Sequence, residues 1–261
     1  MIFCDLDLVF LGQGDGATAR AQKIIRRLRG SDSAQLFEVD LDLRPEGRRG
    51  ELVPTFEGFR RYYESGRAVL WEIQALTRAR VVIGDPELSR SLEAFFFETL
   101  TSFEWTSQTA DEIAAMRARI EEQAGADDLK RGRGGVVDIE FAVQAIQLAH
   151  AQRLPRILER NTLEGLRVAR QLGVLAPRLH ESLLAAYGFL RKIENRLQIV
   201  YNLSSSRLPD DAGEQERLAR RLGYVAMRQA PAAETMRQEL DYHRRLARQA
   251  FEQVLATLRA D

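Results

Sequence analysis

Near its start the chain reads Ile2-Phe3-Cys4-Asp5-Leu6-Asp7-Leu8-Val9-Phe10-Leu11, an apolar run that predicts a buried β-strand interrupted by two aspartates. Because successive side chains of a strand point to opposite faces, Asp5 and Asp7 share one face. Two neighbouring carboxylates repel each other unless a cation lies between them, and oxygen ligands suit a hard divalent ion. The run therefore predicts a metal site, with the solvent face of an edge strand as the competing interpretation.

A second strand is predicted from residue 35 to 43, where apolar residues alternate strictly with Glu38, Asp40 and Asp42. If the two strands are neighbours, their acidic faces coincide. Two strands that pool up to five carboxylates would suit two Mg²⁺ ions bridging phosphate groups. The second strand therefore favours the metal site over the edge-strand interpretation.

The loop directly beyond the second strand, residues 44 to 50, contains three arginines, including Arg44 and Arg48. Arginine side chains that clamp a triphosphate stabilise the charge that develops as pyrophosphate leaves, which nucleotidyl transfer requires. We therefore assign Arg44 and Arg48 as nucleotide contacts. A solvated hairpin loop is the alternative.

A predicted helix over residues 68 to 82 carries two further cations, Arg78 and Arg80, which we also assign to the nucleotide. The alternative is that they pair with Glu72 and Gln74 on the surface of the helix, where such pairs contribute only a few tenths of a kcal/mol.

From Thr55 onward the pattern is helical almost to the end. Residues 125–135 are small, charged and rich in glycine, which predicts a linker between domains. The following helical segments are joined at prolines and glycines, as in an antiparallel bundle. We predict an α+β chain with a first domain over residues 1–124 and an all-α bundle over residues 136–261. In the first turn of the helix that opens this bundle, Asp138 and Glu140 are expected to complement the helix dipole, with a catalytic role as the alternative.

Composition excludes several classes of protein. Lysine plus arginine and aspartate plus glutamate both number 38, so the zero net charge argues against broad nucleic-acid binding. With Cys4 as the single cysteine and three scattered histidines, neither a disulfide nor a zinc site is expected. No apolar run approaches the roughly 20 residues that a membrane span needs. We expect a cytoplasmic protein.

Four motifs taken together resemble the glutamine synthetase adenylyltransferase family. They occur in the family's order. The first two are Asp-Leu-Asp-Leu-Val-Phe-Leu at residues 5–11 and Val-Asp-x-x-Leu-Arg-Pro-Glu-Gly at residues 39–47. The third is Trp-Glu-x-Gln-Ala-Leu-x-Arg-Ala-Arg-x-x-x-Gly-Asp at residues 71–85, and the fourth is Gly-Gly-Val-Val-Asp-Ile-Glu-Phe at residues 134–141. Members contain two similar halves, each a polymerase-β-type nucleotidyltransferase domain followed by a helical domain. This chain resembles one half, and its third and fourth motifs are more similar to the C-terminal, adenylylating half.

The resemblance implies that Asp5, Asp7 and Asp40 bind Mg²⁺, in agreement with the strand-face argument. It implies attack of a glutamine synthetase tyrosine on the α-phosphorus of ATP, with Asp40 assisting deprotonation of the hydroxyl. The implied partner is glutamine synthetase.

The chain departs from the family pattern at its start. Only four residues precede the paired aspartates, Cys4 stands where the family usually has serine, and the phosphate-cradling glycine-rich turn is absent. Asp42 stands where the family often has arginine. We therefore expect a fragment or a misplaced start. Two alternatives remain open: a catalytically silent fragment that binds glutamine synthetase or a PII-type signalling protein, and phosphorolytic removal of the adenylyl group.

Overall fold

The computed structural model describes residues 5–31, 34–35, 37–201, 206–226 and 230–260. The chain divides into two compact units, Met1–Ser102 and Phe103–Asp261. The predicted linker, residues 125–135, lies inside the second unit. The assignment of functional domains to residues 1–124 and 136–261 stays a prediction.

A small parallel sheet forms the first part of unit 1. β1 (Asp5–Asp7) pairs with β4 (Glu38–Asp40), so the predicted neighbourhood of the two acidic strands is confirmed. Between them lie α1 (Ala17–Arg29), which packs on β4, and an antiparallel pair of β2 (Gly30–Ser31) and β3 (Ala34–Gln35).

Both acidic strands are shorter than predicted within the described residues. The Leu8 N–H still donates to the Asp40 carbonyl at 2.9 Å, but the Asp42 N–H turns back to the Asp40 carboxylate at 2.7 Å. Because that local bond replaces a ladder bond, the chain enters a turn after β4. Residues 2–4 and 36 of the predicted strands lie outside the described residues.

Three helices complete unit 1: α2 (Phe56–Glu64), α3 (Leu70–Leu76) and α4 (Pro86–Thr101). Thr55 caps α2 by accepting from the Gly58 N–H at 3.0 Å. These helices share an aromatic core, in which Phe59 and Tyr62 are buried and the ring of Phe95 packs edge-on to Phe59.

The predicted helix over residues 68–82 is wrong in its second half, since α3 ends at Leu76. Thr77 donates its hydroxyl to the Gln74 carbonyl at 2.7 Å, and the next two N–H groups reach back only three residues. Such contacts tighten and end a helix, and the β-branched residues that follow do not favour its continuation. Arg78 and Arg80 therefore lie in the connection to α4.

Unit 2 is a helical bundle, as predicted. Its helices are α5 (Ser107–Glu122), α6 (Val136–His150), α7 (Thr162–Gln171), α8 (Pro177–Tyr201), α9 (Ala212–Arg221) and α10 (Ala232–Ala260). The long helix α10 packs against α5, α6, α8 and α9, and α7 packs against α6 and α8. The described chain is mostly helical; the polymerase-β type of its first domain stays a prediction. Among the described residues no helix is long and apolar enough to cross a membrane.

Residues 125–135 pack closely despite their polar composition. Within the segment, the Asp128 carboxylate accepts from the N–H groups of Lys130 and Arg131, both at 2.8 Å. These bonds fold the backbone of the segment into a turn, because a short acidic side chain can satisfy N–H groups two and three positions ahead of it.

The same segment is held against α10. Arg244 of that helix donates to the carbonyls of Ala126 at 2.7 Å and Arg133 at 2.8 Å. Gly134 has a φ of 69°, and a Cβ there would overlap the Arg244 backbone. The segment is therefore a hydrogen-bonded loop on α10, because its glycines permit close approach of two backbones.

Candidate functional site

The acidic edge of unit 1 is built by the register of its parallel strands. Asp7 lies opposite Asp40, and Asp5 lies opposite Glu38. Val39 is buried and fixes β4, while Glu38 and Asp40 on either side of it are exposed, as is Asp7. The alternation that predicted an acidic face on β4 is confirmed.

The donor chemistry of this edge fits a hard cation. Asp7 and Asp40 offer exposed carboxylates from adjacent strands, and the Asp42 N–H fixes one oxygen of Asp40 at 2.7 Å. Among the described residues there is no cluster of three histidine, cysteine or acidic side chains that could hold a metal. For the third predicted ligand, Asp5, the structure describes the backbone and not the side chain.

Arg44 and Arg48 lie in the loop that follows β4, where they make different contacts. The Arg44 guanidinium donates to the carbonyls of Leu41 at 2.7 Å and Gly50 at 3.3 Å, so it closes the loop on itself. Arg48 pairs with Asp42 at 3.0 Å and is 85% exposed. Arg44 therefore braces the loop, while the exposed Arg48 has room to reach a ligand.

The other two predicted nucleotide contacts lie in the connection between α3 and α4. Arg78 is half-buried and Arg80 is exposed. The structure does not place them on a helix face with Gln74 and Glu72.

The sequence reasoning missed a buried carboxylate in the third motif. Glu72 is 2% exposed and accepts from the Tyr62 hydroxyl at 2.9 Å and from the Val69 N–H at 2.9 Å. Burial and this carboxylate raise the pKa of Tyr62. The prediction that Glu72 and Gln74 lie on the helix surface, where the two arginines would pair with them, is wrong, since both side chains are buried. Glu72 is the third residue of α3 after Val69, the position from which a glutamate commonly caps the start of a helix. That spacing is the sequence signal that could have identified Glu72.

The fourth motif is held in the core of unit 2. Asp138 is fully buried, and one of its oxygens accepts from the Arg117 guanidinium while the other accepts from the Gly134 N–H at 2.8 Å. Burial raises the pKa of Asp138, against the opposite pull of Arg117 and Arg248. Asp138 closes the backbone at the start of α6, but its principal partner, Arg117, was not predicted. Arg117 follows Ile113 by one helical turn, which marks it as a member of the buried face.

Two family models match successive parts of the chain. Residues 4–95 match a model described as glutamate-ammonia ligase adenylyltransferase, and residues 109–255 match one described as GlnD PII-uridylyltransferase. The acidic edge and the loop of residues 44–50, called the arginine loop below, lie in the first of these ranges.

Curated relatives are similar over most of the chain. The bifunctional glutamine synthetase adenylyltransferase/adenylyl-removing enzyme of Mycobacterium avium (strain 104) is 37% identical over 221 residues, 81% of this chain and 21% of the relative. The protein of the same description from Mycobacterium tuberculosis (strain ATCC 25618 / H37Rv) is 37% identical over 220 residues, with the same shares. That of Xanthomonas campestris pv. campestris (strain B100) is 36% identical over 241 residues, 85% of this chain and 25% of the relative. The chain thus spans a fifth to a quarter of the length of these relatives.

Proposed function

We propose that this chain, which belongs to the glutamine synthetase adenylyltransferase family, transfers AMP from ATP to a tyrosine of glutamine synthetase. The observation that carries the proposal is the register of the parallel strands, which sets Asp7 opposite Asp40 within the range that matches the adenylyltransferase model. We assign the chain to one half of the bifunctional enzyme, the C-terminal adenylylating half, with a polymerase-β-type first domain.

In this proposal Asp5, Asp7 and Asp40 hold Mg²⁺. A divalent ion at such a site lowers the pKa of an attacking hydroxyl and neutralises charge on a triphosphate. Asp40 presents one carboxylate oxygen that the Asp42 N–H has already fixed in direction. Its other oxygen makes Asp40 the candidate to receive the proton of the tyrosine hydroxyl.

The four arginines assigned to the nucleotide have different proposed roles. Arg48 exchanges its exposed pairing with Asp42 for the triphosphate, a change that costs little because exposed ion pairs are weak. Arg44 keeps the loop closed through its two carbonyl contacts. Arg78 and Arg80, in the connection after α3, are proposed as further contacts of the leaving pyrophosphate.

Glutamine synthetase is the proposed protein substrate. A PII-type signalling protein is proposed as a further partner of the helical unit, supported by the match of residues 109–255 to a model described as GlnD PII-uridylyltransferase.

The direct test is to incubate the chain with ATP, Mg²⁺ and glutamine synthetase and to measure the intact mass of the synthetase. A gain of one AMP that requires Mg²⁺ is expected. A second protein, extended upstream by a glycine-rich segment of the family, tests whether the phosphate-cradling turn is needed. Absence of the gain with both proteins would overturn the proposal, and loss of AMP from modified synthetase in the presence of phosphate would reverse its direction.

A further inference from the structure

The arginine loop, residues 44–50, is attached to unit 1 at a second point besides its own carbonyl contacts. That point is Glu46, whose carboxylate pairs with Arg67 at 2.9 Å. Arg67 in turn lies over the ring of Tyr62, with its guanidinium carbon 5.2 Å from the ring centre. Glu46 is therefore linked through its side chain and Arg67 to the ring of Tyr62.

The attachment is anchored in the core. Tyr62 is buried, and its hydroxyl donates to the Glu72 carboxylate, which the Val69 N–H holds from the start of α3. The ion pair of Arg67 with Glu46 is more than half exposed on both sides and is weak by itself. Its geometry comes from the buried ring beneath it.

Glu46 also has the backbone conformation that most needs support. Its φ of 63° makes it the non-glycine residue with positive φ in the described part of the chain. A residue with a Cβ adopts this conformation at an energetic cost and keeps it only where its surroundings hold it. Glu46 immediately precedes the turn over residues 47–49 that carries Arg48. The backbone of Glu46 thus sets the direction in which that turn leaves.

We propose that Tyr62, Arg67 and Glu72 are positioning residues that hold Glu46 in this conformation and so fix the arginine loop beside Asp40. The proposal rests on the proposed function for its consequence, which is that the loop meets the triphosphate of ATP without reorganising. Preorganised contacts avoid an ordering cost when the ligand binds.

The first measurement concerns the loop alone. Amide hydrogen exchange of residues 44–50 is followed by mass spectrometry without nucleotide, in the native chain and in Tyr62→Phe and Arg67→Ala. Both variants should exchange about tenfold faster in this segment, since a tenfold change is the size expected when a local opening loses one modest contact. Tyr63→Phe, which removes a hydroxyl from the next residue of α2, is the matched control and should leave the segment unchanged.

Rescue separates the hydrogen bond from general packing. Glu72→Gln keeps an oxygen that accepts from the Tyr62 hydroxyl, and it should restore most of the protection that Glu72→Ala loses. Equal rates of hydrogen exchange over residues 44–50 in Glu72→Gln and Glu72→Ala would contradict the role given to Glu72.

The second measurement is the dependence of AMP transfer on ATP concentration. Tyr62→Phe should raise KM for ATP about tenfold with kcat within about twofold, the pattern of a lost binding contact. A variant that is merely less folded would lower kcat and leave KM unchanged. Unchanged exchange in both Tyr62→Phe and Arg67→Ala would overturn the positioning role. If hydrogen exchange of residues 44–50 changes as expected but the chain transfers no AMP, the result contradicts the proposed function and leaves the positioning role intact.

Discussion

Asp40 in unit 1 and Asp138 in unit 2 carry the same side chain into opposite environments. Asp40 is exposed at the end of a strand, where its carboxylate accepts from the backbone N–H of Asp42. Asp138 is fully buried against Arg117 and the Gly134 N–H. The charge of Asp40 remains available to a ligand, whereas that of Asp138 is already used to hold the bundle together. Burial therefore determines whether an acidic motif of this sequence can bind a ligand or stabilises the fold.

The largest expected effect comes from breaking the buried pair of unit 2. Arg117→Ala should lower the free energy of unfolding by about 3–5 kcal/mol, because it removes the cation that is hydrogen-bonded to the buried Asp138 carboxylate and leaves only Arg248, 3.7 Å away. Urea unfolding followed by circular dichroism measures the change. Arg119→Ala, at an exposed position of the same helix, is the control and should stay within about 0.5 kcal/mol. A small effect of Arg117→Ala would contradict the structural role given to this buried pair.

The corresponding change in unit 1 should alter activity while leaving stability nearly constant. Asp40→Asn should reduce AMP transfer about 100-fold or more, since it removes a charge from the proposed Mg²⁺ site. Asp42→Asn is the matched control, and it should keep activity within a few-fold because it only releases Arg48. The rate of synthetase labelling and the melting temperature are measured on the same samples. Equal activity in the Asp40 and Asp42 variants would contradict the metal assignment.

Helix caps provide a comparison in which the two units should behave alike. Asp85 caps α4 by accepting from the N–H groups of Glu87 and Leu88, and Asn161 caps α7 through Leu163 and Glu164. Asp85→Ala and Asn161→Ala should each cost about 1 kcal/mol, because exposed caps act locally. Urea unfolding again provides the value. A much larger cost in one unit would show that its cap has a tertiary role.

The smallest expected effect is a pH dependence of unit 2. His243 stacks on Phe189 with ring centres 4.3 Å apart, and burial lowers its pKa below the ordinary value of 6.5 despite Glu239 nearby. The unfolded chain therefore binds a proton more readily, so stability is present above pH 6.5 and declines as the pH falls below it. His243→Phe should remove this decline. Melting temperatures between pH 5 and about 7.5 test it, and identical slopes in both proteins would refute it.

Local patterns predicted the elements whose signals lie close together in sequence. The alternation Glu38-Val39-Asp40 marked β4, and Thr55 marked the start of the helical region with α2. Each signal acts within one turn or one pleat, where backbone geometry leaves few choices.

Features that depend on distant partners were not predictable in the same way. Arg117 and Asp138 are 21 positions apart, and Tyr62 and Glu72 are 10 apart, so no helical periodicity pairs them. The end of α3 at Leu76 depends on a hydroxyl contact of Thr77 that competes with continued helix. Composition alone made residues 125–135 a linker, because the partner that orders them, Arg244, lies in the last helix.

That partnership sets an order of events during synthesis. Arg244 is joined to Ala126 across 118 positions and to Arg133 across 111. A ribosome completes the loop long before it makes the helix that holds it. Until Arg244 emerges, the nascent loop lacks these two backbone anchors and is open to chaperones and proteases. Unit 2 therefore acquires this part of its native structure late, after α10 becomes available.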